Sequence, residues 1–364
     1  VMTDLRLTPL AASLPSTVPF VGPEAQERGQ GRAFDARLGA NENVFGPSPA
    51  AIAAMAATDH WKYGDPESFE LRTALAAHHG TTPDHIMVGE GIDALLGYLV
   101  RLFVGPGDHV VTSLGAYPTF NYHVAGFGGT LHTVPYVDDH EDPVSLFAKA
   151  AEVAAKLVYL ANPDNPMGTW HDAAAVQAFI AALPVTTLLV LDEAYIEVAP
   201  QGRAPVIGPS RPTVLRMRTF SKAHGMAGCR VGYAVGHKSL ITGINKVRNH
   251  FEMNRLSQVG ALASLNDPAF VKGVAAEVET GRQEYYRLAD DLGLTALPSA
   301  TNFVAIDVGG GDRARAILAA LQERSAFIRM PGVAPLDRCI RVSVGTAKER
   351  AQFAEALTEV LSGL

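Results

Sequence analysis

Two cysteines in 364 residues, Cys229 and Cys339, are too few for a disulfide framework and point to a reducing compartment. No apolar run reaches the ~18 residues of a membrane span before proline, glycine or charge breaks it. Residues 1–12 carry Asp4 and Arg6 and lack the apolar stretch of a signal peptide, so a cytoplasmic protein is expected. Positive charge is short as well. The 30 Lys and Arg face 37 Asp and Glu, and a net charge of −7 argues against a nucleic-acid partner. Any bound anion must then be held by local cations rather than by the overall field. Metal-ligand spacing is missing too: His78 and His79 are adjacent and cannot face one site, and the other histidines lie apart from cysteines and carboxylates.

Apolar residues are plentiful, at 48%, and the length favours two domains over one core. From about residue 49 to 265, apolar strand-like runs alternate with alanine-rich helical stretches, the pattern of a parallel sheet covered on both faces. Asn266-Asp267-Pro268 then opens a long amphipathic helix, and strands near 302–308 and 339–344 with helices near 313–323 and 348–361 suggest a smaller α+β unit. The expected organisation is an irregular, proline-rich arm (1–34), a small domain (35–48 with 268–364) and a large domain (49–267).

The most telling segment is Arg218-Thr219-Phe220-Ser221-Lys222-Ala223-His224-Gly225, with Arg230 eight residues after the lysine. It follows a strand-like run and sets one lysine among small residues. A lysine amine in a partly desolvated pocket near other cations has a lowered pKa and attacks carbonyl carbon, the requirement for a Schiff base. Thr219, Ser221 and Arg230 could cradle an anion. An amine beside a phosphate cradle suggests pyridoxal 5'-phosphate (PLP).

Three further pieces agree. The apolar run 187–191 ends in Asp192-Glu193-Ala194-Tyr195, and strand ends of an open parallel sheet meet over one crevice, so Asp192 can converge with Lys222. A buried carboxylate keeps a pyridine nitrogen protonated, and Tyr195 could reach the ring's phenolic oxygen. The rigid turn Asn162-Pro163-Asp164-Asn165-Pro166-Met167-Gly168 fixes the direction of an asparagine amide that could donate to the same oxygen. Finally, a strand at 85–89 runs through Gly89-Glu90-Gly91-Ile92-Asp93 into an apolar helix, whose first amides would bind phosphate.

Segments 89–93, 162–168, 192–195 and 221–230 together resemble the fold-type I PLP-dependent aminotransferases, over nearly the whole chain, and are most similar to histidinol-phosphate aminotransferases. Supporting segments are 39–49, 63–66 and 340–346. The resemblance implies an α/β protein: a large domain with a mostly parallel, seven-stranded sheet covered by helices, plus a smaller α+β domain. It implies Lys222, Asp192 and Tyr195 as catalytic residues, with Lys222 carrying PLP, Asp192 on the pyridine nitrogen, and Asn165 and Tyr195 on the phenolic oxygen. Thr219, Ser221, Arg230, Gly91 and the amides of Ile92 and Asp93 would take the phosphate. Phe120 would stack on the ring, and Tyr63 would reach the phosphate from a partner subunit, making a homodimer with shared sites. Phe20, Asn41, Arg329 and Arg341 would meet the substrate.

Amino donor and reaction stay open at this point. Histidinol phosphate with 2-oxoglutarate as acceptor is implied by the resemblance, but Phe20 stands where the family has a tyrosine whose hydroxyl binds the substrate phosphate. An aromatic amino acid, its carboxylate on Arg341, is the rival donor, and a decarboxylase or lyase could use the same scaffold. A PLP-sensing transcription regulator is not expected, because no basic helix-turn-helix is seen before the catalytic body.

Overall fold

The computed structural model describes residues 6–16, 22–200, 208 and 211–363. Its strands are β1 (Ala36–Arg37), β2 (Ile86–Gly89), β3 (His109–Ser113), β4 (Thr130–Val134), β5 (Leu157–Ala161) and β6 (Leu188–Asp192). They continue with β7 (Val214–Thr219), β8 (Gly232–Gly236), β9 (Thr295–Ala296), β10 (Phe303–Asp307), β11 (Ala326–Phe327) and β12 (Cys339–Ser343). Seven form one sheet in the order β2-β8-β7-β6-β5-β3-β4. All neighbours run parallel except β8, which is antiparallel to both β2 and β7. Central strands β5 and β6 are buried throughout, and their near-continuous apolar runs are what a strand covered on both faces requires.

Two cores flank this sheet. One joins Leu95, Leu99 and Val124 to Tyr159, Val190 and Met217; the other joins Leu146 and Ile180 to Val158, Leu160 and Leu191. Residues facing opposite ways along β5 thus supply opposite cores. A third core lies beyond the sheet, where the helix Pro268–Asp291 packs Val274, Val278 and Tyr285 against Phe303, Ile306 and Val342. That helix is capped by the Asp267 side chain, which accepts from the amide of Phe270. Here β10 pairs antiparallel with β12 and β9, and β1 pairs parallel with β11, carrying Ala36 and Leu38 into the same core.

Three local expectations are corrected. The N-terminal arm contains helices Pro9–Ser13 and Pro23–Gln30, because proline at the first helical position supplies a fitting φ and lacks an N–H that no helix would use there. The sequence around both cysteines reads as strand, but Cys229 lies in a 3-10 turn, Ala227–Cys229, while Cys339 opens β12. The helix after β2 starts at Gly91, three residues before the apolar pattern becomes visible. Among the described residues no helix is long and apolar enough to cross a membrane.

Candidate active site

A cavity of about 760 Å³ opens where β5, β6 and β7 end, its wall completed by residues 39–42 and by Arg329 and Arg341. Parallel strands deliver polar residues to their carboxyl ends without burying them in the sheet, so Asn165, Asp192, Thr219 and Lys222 all reach this one space. The Lys222 amine donates to the Asn41 carbonyl at 3.1 Å and sits 5.3 Å from the centre of the Tyr195 ring. Asn41 is itself tightly held. Its backbone is left-handed (φ 55), its Nδ2 donates to the Tyr195 hydroxyl at 3.1 Å, and Ser343 and Asn302 bond its remaining polar atoms. With its oxygen accepting from Asn41, the Tyr195 hydroxyl keeps its own proton for another acceptor.

Asp192 ends β6. Its Oδ1 accepts from the amide of Ala194 at 2.9 Å and its Oδ2 from the Tyr159 hydroxyl at 2.7 Å. Burial pushes this carboxyl up to about 6, against the hydrogen bonds from Tyr159 and Ala194, which favour the charged form. The charge is strongly desolvated and in want of a cationic partner.

One end of the cavity is built for an anion. Arg230 bonds the Ser221 hydroxyl at 3.2 Å, and Thr219 donates to the same Ser221 oxygen at 2.9 Å. Arg230 also approaches Asp93 at 3.4 Å, and Asp93 accepts from the Tyr117 hydroxyl at 2.8 Å. Above this group stands the N-terminus of helix Gly91–Phe103, which has no side-chain cap, so the dipole and first amides are open to a ligand. Gly91 has φ +78, and a Cβ there would come within 2.4 Å of the Arg230 guanidinium. The left-handed backbone favours glycine there, and its missing side chain leaves the guanidinium in place. Cation, hydroxyls, helix end and a glycine gap fit a phosphate, and Asp192 beyond them fits a protonated ring nitrogen, so the residues present suit PLP.

The opposite wall carries the second cationic group. Arg329 and Arg341 pair through their backbones as directly opposed residues, and both line the cavity. Arg341 donates to Oδ1 of Asn165, its Nε is buried without a partner, and burial together with Arg329 drives its pKa down to about 10. Two crowded, partly desolvated guanidiniums call for an anion.

A model of the class I and II aminotransferases matches residues 36–357. The chain belongs to that family. This aminotransferase is 34% identical over 352 residues to histidinol-phosphate aminotransferase 2 of Carboxydothermus hydrogenoformans, covering 94% of this chain and 96% of that protein. It is 36% identical to histidinol-phosphate aminotransferase of Roseiflexus castenholzii, with 89% of each covered. A solved structure of histidinol-phosphate aminotransferase from Sinorhizobium meliloti in complex with pyridoxal-5'-phosphate matches with a TM-score of 0.96 and 53% identity, over 100% of this chain and 99% of that one. The α/β architecture read from the sequence is thus that of a fold-type I aminotransferase.

Not every residue singled out in the sequence reaches the aminotransferase's cavity. Phe120 does not: helix Pro118–Gly126 turns it inward, fully buried and stacked on Tyr159 with ring centres 5.0 Å apart. Tyr117, the residue before that helix, lines the cavity instead. Tyr63 is 82% exposed, packs on Phe251 and does not line the cavity of its own chain. Phe20 lies outside the described residues. Tyr117 and Tyr159 escaped the sequence reading because each sits where an apolar run or a proline turn makes an aromatic look like ordinary core; the proline after Tyr117, which fixes a helix start, was the one available signal.

Proposed function

We propose that this aminotransferase uses PLP and transfers the amino group of histidinol phosphate to 2-oxoglutarate. The observation that carries the reading is the pair of cationic groups, Arg230 with the start of helix Gly91–Phe103 and Arg329 with Arg341, that line one cavity together with Lys222. One phosphate-binding end serves the cofactor, and the other is left for an anionic substrate. Both proposed substrates are anions, and the similarity to histidinol-phosphate aminotransferases over most of the chain supports the donor.

Bound PLP supplies an aldehyde for the donor amine and a ring that accepts the electron pair left when the donor's α-proton is removed. Lys222 carries that proton, being the amine of the cavity and able to swing on a flexible stem. Asp192 holds a proton at the ring nitrogen. Tyr195 and the Nδ2 of Asn165, whose Oδ1 is engaged by Arg341, donate to the phenolic oxygen. Ser221, Thr219, Arg230 and the amides of Ile92 and Asp93 hold the phosphate, and Gly91 leaves room for it. Tyr117 borders the ring in place of Phe120. Arg329 and Arg341 bind the substrate anion, with Asn41 closing the wall beside them.

The reading extends to assembly. Tyr63, exposed and remote from its own cavity, reaches the cofactor phosphate of a second copy, so the active unit is a homodimer. Residues 49–267 form a large cofactor domain and 35–48 with 268–364 a small one. The cytoplasm is the proposed location, where Cys229 and Cys339 stay reduced.

Half-transamination tests the donor: PLP-loaded protein is mixed with histidinol phosphate or phenylalanine and the cofactor's absorbance followed. Histidinol phosphate should react with the higher kcat/KM, and Arg341→Gln should lower that value about tenfold or more beyond any loss with phenylalanine. Faster reaction with phenylalanine, with Arg341 mattering alike for both donors, would replace this donor with an aromatic one.

A further inference from the structure

The geometry points to Tyr159 as a positioning residue that sets the basicity of Asp192 through the hydrogen bond from its hydroxyl to Oδ2. Strand register makes this contact possible. Ala161 of β5 pairs with Asp192 of β6, and Tyr159, two residues earlier, faces the same side and is long enough to reach diagonally to the carboxylate at 2.7 Å. The ring has little freedom to leave. Tyr159 is 1% exposed, with Phe120 stacked on it at an interplanar angle of 22°. Burial and the Asp192 charge hold the phenol well above its ordinary range, so it stays protonated and can only donate toward the carboxylate.

The consequence concerns where a proton rests. A hydrogen bond donated to a carboxylate stabilises its charged form and makes it a weaker base. Around Asp192, desolvation and the nearby carboxylates Asp93 and Glu193 push the other way. Without the Tyr159 hydroxyl, Asp192 would compete more strongly for the proton it shares with a ring nitrogen, and that nitrogen would spend more time unprotonated. Tyr159 is therefore not simply core, although its apolar strand and its stack on Phe120 give it that appearance.

The inference rests on the PLP reading, and the test separates the two. Apoprotein is reconstituted with PLP carrying an isotopically labelled pyridine nitrogen, and the nitrogen resonance is compared in wild type and Tyr159→Phe. Phenylalanine keeps the stacked ring and removes only the hydroxyl. The wild-type signal should be that of a protonated nitrogen; in Tyr159→Phe it should move toward unprotonated pyridine, and kcat should fall on the order of ten- to a hundredfold, the range of one hydrogen bond to a charged group. Tyr159→Phe should add nothing further in an Asp192→Asn background. An unmoved resonance, or an equal additional loss in the Asp192→Asn background, overturns the assignment. If Tyr159→Phe does not fold, a ring-fluorinated tyrosine at 159, a stronger donor to the same carboxylate, should lower the pH at which the Asp192 carboxyl of the apoprotein titrates; an unmoved titration overturns the assignment equally. Wild-type protein that takes up no labelled PLP would instead overturn the cofactor reading.

Discussion

At the scale of single residues, the site depends on two groups with opposite tasks. Lys222 lines the cavity with its amine on the Asn41 carbonyl. Lys222→Ala should abolish turnover while PLP still binds noncovalently, and borohydride reduction of the wild type followed by peptide mapping should place the label on Lys222. Asp192 is charged where charge is costly. Its carboxyl titrates near about 6 in the fold against an ordinary value of 3.8, so the folded apoprotein binds this proton more tightly than the unfolded chain. The cost of burying the charge is in full force above about 6 and is relieved as pH falls from there toward 3.8. Apo Asp192→Asn should therefore melt a few degrees above apo wild type at mildly alkaline pH, with the gap closing as the solution is acidified through that window. The same variant, loaded with PLP, should lose single-turnover rate by about a hundredfold or more, because the carboxylate that holds the ring proton is gone. A stable, fast variant would deny Asp192 its role.

At the scale of elements, the proposed function makes the end of β2 and the start of helix Gly91–Phe103 one device for gripping an anion. Gly91→Ala should weaken PLP binding about tenfold or more, read by titrating apoprotein, with its circular dichroism little changed. The added methyl would meet the Arg230 guanidinium and occupy an unfavourable backbone conformation. Much of this device was legible in the sequence, because glycines between an apolar strand and an apolar helix have few other uses. Strand ends were legible for a similar reason. Apolar runs at 156–160 and 187–191 stop at residues with no place in a core, so a parallel sheet with chemistry at its carboxyl ends could be read directly. Phe120 shows where such reading stops. Whether an aromatic in helix Pro118–Gly126 faces cavity or core depends on helix phase and on Tyr159 across the packing interface, neither of which local spacing records. The reversal of β8 was likewise invisible, since its buried run reads the same in either direction. In the N-terminal arm, proline read as a breaker was in fact a helix start.

At the scale of the whole molecule, the prediction concerns subunits. If Tyr63 serves a neighbour, a hybrid of Tyr63→Ala and Lys222→Ala chains contains one site with both residues intact, and activity should return at up to one site per dimer. A site built within one chain would leave the hybrid inactive, and a verified heterodimer without recovery would rule out the shared arrangement. The two cationic ends of the cavity also differ in parentage. Arg230 lies in the connection between β7 and β8 of the seven-stranded sheet and Gly91 at the start of the helix after β2, whereas Arg341 lies in β12 of the smaller sheet and Arg329 is tied to it by backbone pairing. Mutations that reshape one end need not disturb the packing of the other. Over evolutionary descent, such a scaffold could exchange its amino donor by drift in the 329–341 region while the anion cradle around Arg230 and Gly91 passed unchanged from ancestor to descendant.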